Sequence, residues 1–105
     1  MSQSLLPQAV LGRTCLQVSR LGYGAGHRKH MTEAQNQAML RAVVDSGVSI
    51  IDTANDYGNS EEMIGIALSH RKAEFTLATK CGCSTRGHVW TSENLYRGLH
   101  ESLER

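Results

Sequence analysis

The sequence predicts an α/β fold, with an N-terminal β-hairpin followed by three parallel βα units. Three observations lead there. Short apolar runs at 20–24, 48–52 and 74–80 alternate with longer stretches whose apolar residues recur at helical spacing. Helix start signals stand before each longer stretch, at Thr32, at Asn59-Ser60 and at Thr91-Ser92. The segment GVSIIDTANDYGNSEEMIG (47–65) also passes directly from a buried strand through a polar loop into a helix.

Residues 5–11 and 14–18 are partly apolar runs separated by Gly12-Arg13, read as a hairpin over 5–18. Residues 20–105 hold the three βα units. Arg20 to Gly24 is the first core strand, and Gly22, Gly24 and Ala25 leave its backbone open to close approach. The loop 25–31 carries the basic run His27-Arg28-Lys29-His30, read as solvated, with phosphate steering as the rival. Thr32 caps the first helix, with Glu33 in its first turn. Its expected polar face is Glu33, Gln37, Arg41 and Asp45, and its expected apolar face is Ala34, Ala38, Met39, Ala42 and Val43. Gly47 stops it.

Val48 to Asp52 is the second strand. Asn59 or Ser60 caps the second helix, and Glu61 and Glu62 suit its N-terminal dipole. Met63, Ile64, Ala67 and Leu68 form its buried side, and Gly65 marks close packing against a neighbour. Glu74 to Lys80 is the third strand, and 81–89 is a loop. Thr91 or Ser92 caps a third helix that runs to Arg105, with Trp90 and Tyr96 expected to pack it.

A chain of 105 residues suits one small domain. Its 11 basic and 10 acidic residues give a net charge of +1, which argues against a nucleic-acid surface. No apolar run approaches the roughly 18 residues of a membrane span. The opening MSQSLLPQAVLGR lacks the basic start and apolar centre of a signal peptide. Three cysteines, an odd number without framework spacing, suit the cytoplasm. Cys81-Gly82-Cys83 with His88 falls short of a zinc ligand set and reads as two ordinary thiols, so no metal is expected.

The chemistry is expected around Asp52, Tyr57 and Lys80. Asp52 and Lys80 each end a strand, and Tyr57 lies in the loop after the second strand. Adjacent parallel strands would bring all three to one rim, where α/β proteins gather their ligands. A tyrosine phenol ordinarily ionises near pH ~10, too high for easy proton exchange at neutrality. A lysine ammonium stabilises the phenolate, and a carboxylate keeps the lysine charged. Such a tyrosine can protonate a carbonyl oxygen while a hydride arrives at the carbon. Spacing alone equally fits a capping Asp, an exposed Tyr and a solvated Lys. A rival nucleotide-binding reading rests on Gly22-x-Gly24-x-Gly26 followed by Asp52, but the third glycine of G-x-G-x-x-G falls on His27.

Five motifs in order carry a resemblance. They are LGRTCLQVSRLGYGAG, D-T-A-x-x-Y-G (52–58), S-E-E-x-I-G (60–65), A-T-K (78–80) and T-x-E-N-x-x-x-x-L-x-x-S-L-x-R (91–105). Together they resemble the N-terminal part of the aldo-keto reductases over nearly the whole chain. The resemblance implies a (β/α)8 TIM barrel with a hairpin closing its bottom. It also implies an NADP(H) cofactor and reduction of an aldehyde, ketone or sugar carbonyl, or the reverse alcohol oxidation.

By motif, Asp52, Tyr57 and Lys80 match three members of the family's catalytic tetrad. Tyr57 is then the general acid/base, Lys80 the group that tunes it, and Asp52 the partner of the lysine. Gly24, Ala25 and Asp52 fall at the cofactor site, Ala25 standing where threonine is more usual. The tetrad histidine belongs to the end of a fourth strand, and none of the five histidines here matches it. Cys81 directly after Lys80 recurs in subgroups that resemble sugar dehydrogenases. A full barrel takes about 250 residues. The expectation is therefore an incomplete barrel, a fragment with little or no catalysis alone, and an open apolar edge at the third strand that favours self-association. A non-catalytic truncated product or interaction module is the alternative.

Overall fold

The computed structural model describes residues 6–26, 30–82 and 90–105. Strands β1 (Gln8–Val10) and β2 (Gln17–Ser19) pair antiparallel with Gln8 opposite Ser19. This is the expected hairpin with a wider turn than Gly12-Arg13 alone. Gly12 and Cys15 both adopt positive φ, 54° and 62°, and the Thr14 hydroxyl donates to the Leu11 carbonyl at 2.6 Å. A reciprocal exchange fastens the hairpin to the rest of the chain. The Ser19 amide donates to Ser49 Oγ at 2.7 Å, and the Ser49 amide donates to Ser19 Oγ at 2.9 Å.

Strands β3 (Tyr23–Gly24), β4 (Ile50–Asp52) and β5 (Thr76–Ala78) form a parallel sheet in that order. Each is shorter than the apolar run that predicts it. The register sets Gly24 beside Asp52, and Asp52 beside Ala78. Backbone pairing continues past the strand ends. The amides of Ala25, Thr53 and Asn55 donate to the carbonyls of Asp52, Ala78 and Lys80 at 2.8, 2.8 and 2.9 Å. The polar loop after β4 is thereby drawn along the rim of the sheet.

Helix α1 (Glu33–Asp45) opens with a capping box. The Gln35 amide donates to Thr32 Oγ1, and the Thr32 amide donates to Gln35 Oε1. Gly47, at φ 98°, follows its end. The buried stripe corrects the sequence expectation. Asn36, Leu40 and Val44 face inward, whereas Ala34, Ala38, Met39 and Ala42 are exposed and Val43 is half-buried. Leu40 and Val44, four residues apart, bring far more apolar area to the core than an alanine face can. They pack with Ile51, Met63, Ile64, Ala67 and Leu68.

Helix α2 (Ser60–Leu68) buries Met63, Ile64, Ala67 and Leu68 as expected, and Asn59 occupies its N-cap without a side-chain hydrogen bond. A β-carbon on Gly65 would collide with the Arg105 carbonyl, so this glycine permits close packing. A 3-10 segment (Ser69–Glu74) follows, where the sequence places the start of the third strand at Glu74. Its Arg71 bridges Asp45 at 2.8 Å and Glu74 at 2.7 Å. That offsets an acid at the end of α1, where the helix dipole disfavours one.

Helix α3 (Ser92–Glu104) is capped by Thr91, whose hydroxyl accepts from the Asn94 amide. Asn55 Nδ2 holds it, donating to the Gly98 carbonyl and Ser102 Oγ. Trp90 rests against Gly82. Trp90 and Tyr96 are both 68% exposed, so neither is buried against α3 as expected. Among the described residues no helix is long and apolar enough to cross a membrane. Most of the basic run (27–29), together with Cys83 and His88, lies outside the described residues.

Candidate active site

The end of β4 delivers Asp52, and the two residues beyond β5 deliver Lys80. Because β4 and β5 are adjacent and parallel, both side chains reach the same rim. Lys80 Nζ donates to Asp52 Oδ1 at 2.8 Å and to the Thr53 carbonyl at 3.0 Å. It also stands over the Tyr57 ring, 5.2 Å from the centroid. The loop that carries Tyr57 is turned by the Tyr57 amide donating to the Ala54 carbonyl at 3.2 Å. Gly58, at φ 54°, then redirects the chain into α2. The three residues singled out in the sequence thus meet.

Lys80 is held above the ordinary lysine pKa. The hydrogen bond to Asp52 is the largest cause, desolvation opposes it, and the charges of Asp52 and Tyr57 add to it. The Lys80 and Asp52 side chains are 54% and 55% exposed. A pair so open to water contributes little to folding. Its consequence is local, in fixing a cation beside the phenol.

Gly24 and Ala25 lie one strand over. Gly24 is exposed, and no atom stands within 4 Å of where its β-carbon would be. Ala25 is buried, so its methyl belongs to the core, and its amide and carbonyl are already paired with the Asp52 carbonyl and Ser60 Oγ. A β-carbon on Gly26 would touch the Tyr57 ring at 3.5 Å. The β3 end therefore brings backbone with little side-chain cover next to the Asp52–Lys80–Tyr57 group. The tight strand-turn-helix geometry of a pyrophosphate loop is not formed, because β3 ends at Gly24 and α1 begins only at Glu33. Among the described residues no cluster of His, Cys, Asp or Glu could hold a metal.

Several supporting residues escaped the sequence reading. Thr53 supplies the second acceptor for Lys80. Glu61 is buried, accepts from Thr79 Oγ1 at 2.6 Å and pairs with Arg105 at 3.0 Å. It thus braces the strand end next to Lys80. Ser60 Oγ donates to the Ala25 carbonyl and contacts Thr53 Oγ1. Neither their place inside the D-T-A-x-x-Y-G and S-E-E motifs nor the helix-start reading of Ser60 and Glu61 points to these partners.

Comparison with known proteins gives a consistent result. The profile of the aldo/keto reductase family matches residues 20–105. The chain is 34% identical over 104 residues to an L-galactose dehydrogenase of Arabidopsis thaliana, covering 90% of this chain and 33% of that protein. It is 35% identical over 107 residues to a "probable voltage-gated potassium channel subunit beta" of Oryza sativa subsp. japonica, covering 90% of this chain and 32% of that one. An aldo-keto reductase from Bacillus halodurans, solved in its holo form, superposes with a TM-score of 0.79 at 25% identity. That match covers 94% of this chain and 36% of the other. The chain spans about a third of the length of the curated relatives it matches. Its hairpin and three parallel βα units are those of a (β/α)8 barrel, incomplete here.

Proposed function

The chain belongs to the aldo/keto reductase family, and on that premise we propose that it is part of an NADP(H)-dependent oxidoreductase. The substrate class is an aldehyde, ketone or sugar carbonyl, or the corresponding alcohol in reverse. Residues 1–105 are then the N-terminal part of the barrel, with 5–18 the hairpin and 20–105 the three βα units. The observation that carries the reading is the convergence of Asp52, Lys80 and Tyr57, with Lys80 2.8 Å from the carboxylate and 5.2 Å from the ring centroid.

In this reading the Tyr57 hydroxyl gives its proton to the carbonyl oxygen during reduction and takes one back during oxidation. The Lys80 ammonium stabilises the negative charge left on the phenol oxygen, and Asp52 keeps the ammonium charged and aimed. NADP(H), when bound, supplies the hydride chemistry. Gly24 and Asp52 are proposed to border that cofactor at the open rim, with Ala25, whose amide and carbonyl are already paired, forming the floor beneath it. The L-galactose dehydrogenase relative and the Lys80-Cys81 pair favour a sugar among the carbonyl substrates.

The test is NADPH oxidation by the intact protein with a panel of aldehydes, ketones and sugars, in wild type and Lys80→Met. Asp52 raises Lys80 above the ordinary lysine pKa. The ammonium therefore persists through neutral pH and is lost only as pH rises through the raised value. Wild-type reduction should fall along that alkaline limb. Lys80→Met should be slower by roughly a hundredfold at neutral pH, and its alkaline profile should differ from that of wild type. Equal rates and equal profiles would sink the assignment.

Three strands cannot close a barrel, so the 105 residues alone are proposed to carry little or no turnover. Self-association is proposed through the outer edge of β5 and the face of α3. Leu77 is half-exposed on that strand, and Leu95, Leu99 and Leu103 form an exposed stripe at i, i+4 spacing. Sedimentation over a concentration series checks this, and an unchanging monomer would refute it. A cytoplasmic location, supported by free thiols at Cys15 and Cys81, is checked by fractionation.

A further inference from the structure

Ser60 opens α2, yet its hydroxyl does none of the capping, which falls to Asn59's position. The side chain is buried at 7% exposure. Its Oγ donates to the Ala25 carbonyl at 2.8 Å. That uses its single hydrogen, so the 2.7 Å contact with Thr53 Oγ1 must be donated by the threonine. The Ser60 amide meanwhile donates to the Tyr57 carbonyl at 2.9 Å. One residue therefore joins the end of β3, the end of β4 and the loop that presents Tyr57.

We propose that Ser60 is a positioning residue that fixes the β3 end, at Ala25 and Gly26, against Tyr57. The proposal rests on reading Tyr57 as the proton carrier. Ala25 is held on both sides, its amide by the Asp52 carbonyl and its carbonyl by Ser60. Gly26, the next residue, faces the Tyr57 ring closely enough that a β-carbon there would reach it at 3.5 Å. Without the hydroxyl, a carbonyl and the Thr53 hydroxyl would lose their partner in a buried place, and the cheapest remedy is for the Ala25-Gly26 backbone to move. Alanine at the start of α2 keeps the helix itself intact.

The test is amide hydrogen exchange on the intact protein, comparing wild type, Ser60→Ala, Ser60→Thr and Thr53→Val. In Ser60→Ala, exchange at Ala25 and Tyr57 should quicken about tenfold, with Leu40 and Val44 in α1 unchanged and the Tyr57 ring resonances shifted. Ser60→Thr, which keeps a hydroxyl, should return both amides toward wild type. Thr53→Val leaves the Ser60–Ala25 bond in place and should leave Ala25 as in wild type. Equal acceleration at all four amides would mean a merely structural role and would overturn the proposal, as would no acceleration at Ala25. The same loss of Ala25 protection in Thr53→Val would also overturn it. NADPH binding to the intact protein, followed by fluorescence, is scored separately. Its absence would count against the reductase reading and leave the exchange result standing.

Discussion

Replacing Tyr57 with phenylalanine is expected to slow carbonyl reduction by roughly a hundred- to ten-thousandfold while NADPH still binds. The substitution deletes one oxygen and keeps the ring. Gly26 would still face that ring, and Lys80 would still stand over it. What goes is the proton. Hydride arrival at a carbonyl carbon leaves an alkoxide, and no other described hydroxyl at the rim has a lysine ammonium beside it. Rapid-mixing reduction under saturating NADPH, with binding measured in parallel, separates the two effects. Survival of the rate would mean that the proton comes from elsewhere. A parallel loss of binding would mean that the ring itself holds the cofactor.

The second large effect is on stability. Leu40→Ala should cost about 2–5 kcal/mol, and Met39→Ala no more than about 0.5 kcal/mol. Leu40 is 1% exposed and packs among Ile51, Met63 and Leu68, whereas Met39 is 43% exposed. Small domains hold only about 5–15 kcal/mol in total, so the first change should remove a large share of the chain's stability. Urea denaturation of the two variants decides it. A larger loss in Met39→Ala would restore the alanine-rich face as the buried one and turn α1 on its axis.

That pair of residues also marks where the sequence stopped being legible. Caps and stops were readable because they act locally. Thr32, Gly47 and Thr91 satisfy or terminate backbone groups within four residues of themselves. The face of α1 was not readable in the same way. Alanines and Met39 outnumber Leu40 and Val44, but burial follows area and fit against a partner helix, which a count of apolar letters does not contain. The convergence of Asp52 and Lys80 was legible because strand ends in a parallel sheet share a rim, so the two needed only adjacent strands to meet. Its support was hidden. Glu61 reads as an acid suited to a helix start, and its partner Arg105 is 44 residues away. Ser60 reads as a cap, yet its hydroxyl serves another strand. Long-range partners of polar residues leave no periodic trace.

The contact between Lys80 and Asp52 spans 28 residues of chain. Those residues hold the Tyr57 loop, all of α2 and the strand that carries the lysine to the rim. Closing so long a loop for one solvent-exposed pair would be an entropic loss by itself. The pair exists because α2 shortens the path and buries its own apolar side on the way. An amine-acylating reagent meets a lysine restrained by its carboxylate only when that whole unit is assembled. The reactivity of one surface amine is thus a gauge of topology, reporting the folding of the second βα unit as faithfully as a probe placed in its core.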